Sequence, residues 1–155
     1  MSDAGYKAEL PASILRNDLE AYLRKHRPDW PELRVTEFRM IPGGFSKFTY
    51  LFDTYDDLNG VQQLIARVEP PVRFLDLDGM DLRNEFPVVQ FAFQAGLPVA
   101  EPLWFEDDKS KLGYPFIVSR RVHGEVYGTV KGTDRAVPAD VVRRQYECLN
   151  EVLLP

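Results

Sequence analysis

Ile41-Pro42-Gly43-Gly44-Phe45-Ser46-Lys47 joins two stretches of strand character. Upstream, Arg34 to Ile41 sets Val35, Phe38 and Met40 against Arg34, Glu37 and Arg39. That is the two-residue period of a half-buried strand, with some irregularity. Downstream, Lys47 to Tyr55 is rich in Phe, Thr and Tyr, residues that fit a pleated surface. Asp56-Asp57-Leu58-Asn59-Gly60 reads as a turn, since Asn-Gly accepts positive φ cheaply. Gln62 to Val68 makes a third strand, which Pro70-Pro71 ends. The pattern predicts a three-stranded antiparallel meander.

Working outward, Ser13 to Lys25 carries Ile14, Leu15, Leu19, Tyr22 and Leu23 on one helical face. Ser13 is its expected N-cap, and Pro28 and Pro31 end it. After the meander, Asp76 to Gly79 is a loop, and a helix runs to about Ala95 with Phe86, Val89, Phe93 and Leu97 on its apolar side. Gly96 fits the position just past that helix. Pro87 restricts it to a start near Asn84 or a kink there, because proline belongs in the first turn. Leu103 to Glu106 and Pro115 to Arg121 are two more strands around a polar loop, Asp107 to Gly113. A glycine-spaced linker then runs to Asp134, and Pro138 to Leu153 is a closing helix. The expected fold class is α+β, with five strands and one helix inserted between the third and fourth.

Of the 155 residues, 45% are hydrophobic and 12% aromatic, enough for a packed core and too many for a disordered chain. The formal net charge of −5 argues against general binding of nucleic acid or anionic membrane. Cys148 is the one cysteine, so no internal disulfide forms, and it reads as an inert thiol in a helical pattern. The first twenty residues lack the apolar run of a signal peptide. A cytoplasmic setting is the expectation.

Four features carry candidate chemistry. A glycine turn at Gly43-Gly44 lets backbone N–H groups approach phosphate oxygens, with Ser46 and Lys47 adding a hydroxyl and a cation. It is not a Walker A loop. Arg67, inside Leu64-Ile65-Ala66-Arg67-Val68, needs an anionic partner if it is buried. Glu85 lies near the start of the following helix. Pro115 to Gly124 is a strand leading into a linker that can offer backbone groups to a planar base. Taken singly, each has a plain alternative: a hairpin turn, a solvent-facing strand residue, an acid favoured by a helix dipole, a core strand.

Their order resembles the aminoglycoside phosphotransferase family, whose fold is protein-kinase-like. The matching stretches are Ile41-Pro42-Gly43-Gly44-Phe45-Ser46, Leu64 to Pro71, Asn84-Glu85-Phe86, Gly96 to Pro102, and Leu112 to Val118 with Val122-His123-Gly124. The resemblance implies a kinase-like N-terminal lobe over residues 1–124, with a five-stranded antiparallel sheet. Residues 125–155 would be a linker and the truncated start of a helical lobe. It implies that Gly43, Gly44 and Ser46 cover the phosphates of ATP and that Arg67 contacts them, paired with Glu85. Ala66 and Ile117 would line the base pocket, and backbone groups of Arg120 and Val122 would meet the adenine. Mg²⁺ ligands, the catalytic loop and the hydroxyl-bearing acceptor's site would lie in a second lobe, so no catalytic or metal residue is assigned here. The full enzyme would transfer the γ-phosphoryl group of ATP to a hydroxyl; the alternative is an inactive binding or scaffold module. An isolated lobe exposes an apolar face, which implies self-association.

Three departures bear on these roles. Arg67 is a planar fork where an ammonium is usual, Pro87 threatens the Glu85 pairing, and Ser119-Arg120 replaces an apolar-acidic pair. His26-Arg27-Pro28-Asp29 resembles a kinase catalytic loop only superficially, since it precedes the glycine turn. Asp76-Leu77-Asp78-Gly79 reads as a solvated turn because it lacks the distal Glu of a calcium loop.

Overall fold

The computed structural model describes residues 12–30, 32–41, 47–70, 81–124, 128–130 and 133–153. Helix α1 (Ala12–His26) precedes strands β1 (Arg34–Ile41), β2 (Phe48–Asp56) and β3 (Gly60–Val68). Helix α2 (Leu82–Gln94) is followed by β4 (Pro102–Glu106), a one-turn helix α3 (Lys109–Leu112) and β5 (Phe116–Arg120). The short strands β6 (Gly128–Val130) and β7 (Thr133–Arg135) and helix α4 (Ala139–Leu153) complete the order. The main sheet runs β1-β2-β3-β5-β4, and every neighbouring pair is antiparallel. The expected α+β class and meander therefore hold. Register shifts fall at Val35/Glu37 in β1 and Pro102/Trp104 in β4, the two edge strands.

Parity divides the sheet into two faces, because alternate strand residues point opposite ways and cross-strand partners point the same way. Tyr50, Phe52, Leu64, Ala66, Val68, Phe116 and Val118 form one face and are buried. Leu15, Leu19 and Leu23, spaced by four along α1, close over this face in a single core cluster. The helix is pinned at β1: Glu20 accepts the Val35 N–H at 2.8 Å, while Arg16 and Arg24 donate to the carbonyls of Val35 and Leu33, each at 2.6 Å. The other face carries the row Ile41, Thr49, Arg67, Ile117 and Phe105, one residue from each strand. Helix α2 lies on this side, with Phe86 stacked against Phe105 at 5.8 Å.

Several boundaries differ from the sequence expectation. Helix α1 begins at Ala12, so Ser13 lies within it rather than capping it. The Asp107–Gly113 loop contains α3, capped by the Asp108 side chain and ended by Gly113 at φ 82°. The glycine-spaced linker holds the β6–β7 hairpin.

Helix α2 starts at Leu82, two residues before the expected Asn84, and Pro87 sits inside it. The early start follows from its cap: Asp81 accepts the Asn84 N–H at 2.8 Å. At its other end Gly96, at φ 83°, sends its N–H to Phe93 O while Leu97 N–H reaches Ala92 O. That is a Schellman close, which glycine adopts without penalty. Pro87 has no N–H to return to the Arg83 carbonyl. Pro87→Ala is therefore expected to stabilise the chain. A helix-interior proline costs about 3 kcal/mol against alanine, less roughly 0.4–1 kcal/mol for the freer unfolded chain. A higher urea midpoint at unchanged slope checks this.

Candidate functional site

Arg67 and Glu85 pair directly, bringing the third strand and the inserted helix together. The proline two residues beyond Glu85 does not prevent this, since the capped first turn has already set the helix position. The side chains are 39% and 29% exposed, so the pair borders an open surface. Burial lowers the Arg67 pKa from its ordinary value. Arg67 stands directly opposite Thr49 of β2, and Thr49 opposite Ile41 of β1, the last paired residues before the glycine turn. Gly43, Gly44 and Ser46 themselves lie outside the described residues.

Beside Arg67 the same face is apolar. Ile117 is directly opposite it on β5 and buried. Leu51 and Ile65 form the next row with Ser119. Ala66 corrects the sequence expectation. It is 2% exposed and belongs to the α1-side core with Tyr50 and Val118, its cross-strand neighbours. The side chain two residues before Arg67, and so on its face, is Ile65.

The strand that leads into the linker is held by polar contacts. The Arg120 N–H donates to Glu101 O at 2.9 Å. Its guanidinium binds Glu101 and Gln62, each at 2.6 Å. Val122 is exposed just beyond. On the Arg67 face, Arg121 pairs with Asp53 at 3.3 Å, and His123 meets Gln63 at 2.7 Å.

Sequence reasoning missed a second ion pair beside the first. Lys47 and Glu69 are both buried and lie 3.6 Å apart. Glu69 also accepts the Leu82 N–H at 2.7 Å. The signal was present: Glu69 is two residues from Arg67 and shares its face, and Lys47 continues β2 opposite it.

One other feature is separate from this face. A cavity of about 250 Å³ lined by Tyr22, Leu23, His26, Arg27, Leu103 and Trp104 lies between α1 and β4, on the sheet's opposite side. There Arg27 binds Asp29 and covers the Trp30 ring at 4.2 Å, which disposes of the catalytic-loop likeness. Tyr22 donates to Glu106, and burial with this bond raises its pKa. The Asp76–Gly79 loop lies outside the described residues. Among the described residues no group of three or more His, Cys, Asp or Glu could hold a metal ion. No helix among them is long and apolar enough to cross a membrane.

Comparison with known proteins agrees with this fold. A crystal structure from Ralstonia eutropha JMP134, assigned as an aminoglycoside phosphotransferase, superposes with a TM-score of 0.51 at 23% identity. It matches 76% of this chain and 31% of that one, a likeness of fold. Acyl-CoA dehydrogenase family member 11 of mouse is 32% identical over 114 residues, and that of human 28%. The alignments cover 70% of this chain and 14% of those proteins, so the chain spans a small part of the curated relatives it matches. The profile of the APH Phosphotransferase enzyme family matches residues 37–153. A match over that span places the chain in the phosphotransferase enzyme family.

Proposed function

We propose that this chain holds ATP for a small-molecule kinase, over residues 1–124, with 125–155 leading into a helical lobe. The observation that carries the reading is the Arg67–Glu85 pair, partly exposed at the hairpin end of the sheet face, where Ile117, Leu51 and Ile65 are its apolar neighbours. A guanidinium there can fork to phosphate oxygens while Glu85 holds its orientation. Leu51, Ile65 and Ile117 offer an apolar surface to the base. The carbonyl of Arg120 and the backbone of Val122 would meet its polar edge. Gly43, Gly44 and Ser46 would close over the phosphates.

Mg²⁺ would accompany the nucleotide, with its protein ligands in the second lobe. When bound, it would neutralise phosphate charge during in-line transfer to an acceptor hydroxyl. This chain's part is to bind and orient the nucleotide. A cytoplasmic setting and self-association of the isolated lobe belong to the same proposal.

Isothermal titration of the chain with ATP and Mg²⁺ tests the reading. Saturable heat, weak for a lobe alone, is the expected outcome. Absence of heat up to millimolar nucleotide favours an inactive scaffold module instead.

A further inference from the structure

Arg67 and Glu85 form one of two rungs between β3 and α2. The second is Glu69, whose carboxylate accepts the Leu82 N–H at 2.7 Å. Glu69, one residue past the end of β3, is two residues beyond Arg67, a span of about 6.6 Å in extended chain. Leu82 and Glu85 are three apart on the helix, one below the other on the same side. Two rungs at different heights fix both the rotation and the axial position of α2, where one would fix neither. A shift of α2 by one residue breaks both.

Glu69 is well placed to set that register. Its own N–H donates to Pro115 O at 3.0 Å, which fastens the end of β3 to the start of β5. Its side chain is nearly closed off from solvent, and Lys47 balances its charge within that closure. A carboxylate accepting a first-turn N–H also meets the positive end of the helix dipole. Lys47 directly follows the glycine turn, so the same contact fastens the turn's outgoing strand to the helix.

We propose that Glu69, held by Lys47, is a positioning residue: it sets the register of α2 and thereby brings Glu85 to Arg67. This deepens the proposed role of Arg67 by naming what orients it. The test needs no nucleotide, so its failure is distinguishable from failure of the ATP reading.

The readout is the side-chain nitrogen spectrum of Arg67 by NMR in the full chain. Pairing slows rotation of the guanidinium, and Glu85→Gln supplies the unpaired reference. Glu69→Ala is expected to raise the Arg67 rotation rate several-fold, to the Glu85→Gln value. Glu69→Gln keeps an acceptor for the Leu82 N–H and is expected to retain most of the slowing. An unchanged Arg67 signal in folded Glu69→Ala overturns the proposal, as does equal loss of slowing in both variants. If Glu69→Ala does not fold, hydrogen exchange of the unaltered chain decides. The Leu82 amide should exchange at least 100-fold more slowly than that of Arg83 beside it, and equal rates overturn the proposal.

Discussion

Arg67→Ala is expected to remove measurable ATP binding from this chain. The substitution deletes a charge-assisted contact, worth about 1.5–3 kcal/mol, or roughly 10–100-fold in affinity. It also leaves the Glu85 carboxylate facing the phosphates without its cation, so repulsion adds to the loss. Fold stability should change little, since exposed or half-exposed pairs contribute about 0–1 kcal/mol. Arg67→Lys should recover part of the affinity, as an ammonium keeps the charge and loses the fork. Titration calorimetry beside urea unfolding separates binding from stability. Unchanged affinity in folded Arg67→Ala would falsify the assignment of this site.

The largest stability effect should come from Phe116→Ala. Phe116 is fully buried at the start of β5 and meets the Tyr22 ring edge-on at 5.1 Å. It therefore joins the sheet to α1 across the one core that α1 closes. Truncation leaves a cavity in the middle of that layer, costing about 3–5 kcal/mol. A domain holds only about 5–15 kcal/mol in total. The expected result is a sharply lower urea midpoint or an unfolded chain. Leu58→Ala, at a position 75% exposed in the β2–β3 turn, is the control and should stay within about 0.5 kcal/mol.

The meander and both long flanking helices could be read from the sequence because each carries its own signal. Alternation marks β1, Asn59-Gly60 marks a turn that Asp56 reinforces by accepting the N–H groups of Leu58 and Asn59, and four-residue leucine spacing marks α1. The start of α2 was misread because Pro87 suggested a boundary, whereas the cap at Asp81 and the Glu69 contact from another strand set it. The second of these is a long-range contact that no local pattern contains.

The candidate site divides the same way. Arg67, Glu85 and Ile117 converge because each was placed by type and order. Ala66 failed on parity: the family resemblance assigned it to the base pocket along with Arg67's site, but adjacent strand residues face opposite sides. The pairing of Lys47 with Glu69 escaped notice because a charged pair at strand ends resembles solvated surface until burial is known. The β6–β7 hairpin was hidden by glycines, which sequence reads as linker and which short turns also use.

Both outer strands of the five-stranded sheet break register. β1 is bulged at Val35/Glu37 and carries exposed Arg34, Glu37 and Arg39, while β4 is bulged beside Pro102. Kinked, charged or proline-bearing rims make poor templates for a neighbour's backbone. Concentrated solutions of this chain should accordingly resist growth of cross-β fibrils from the native fold.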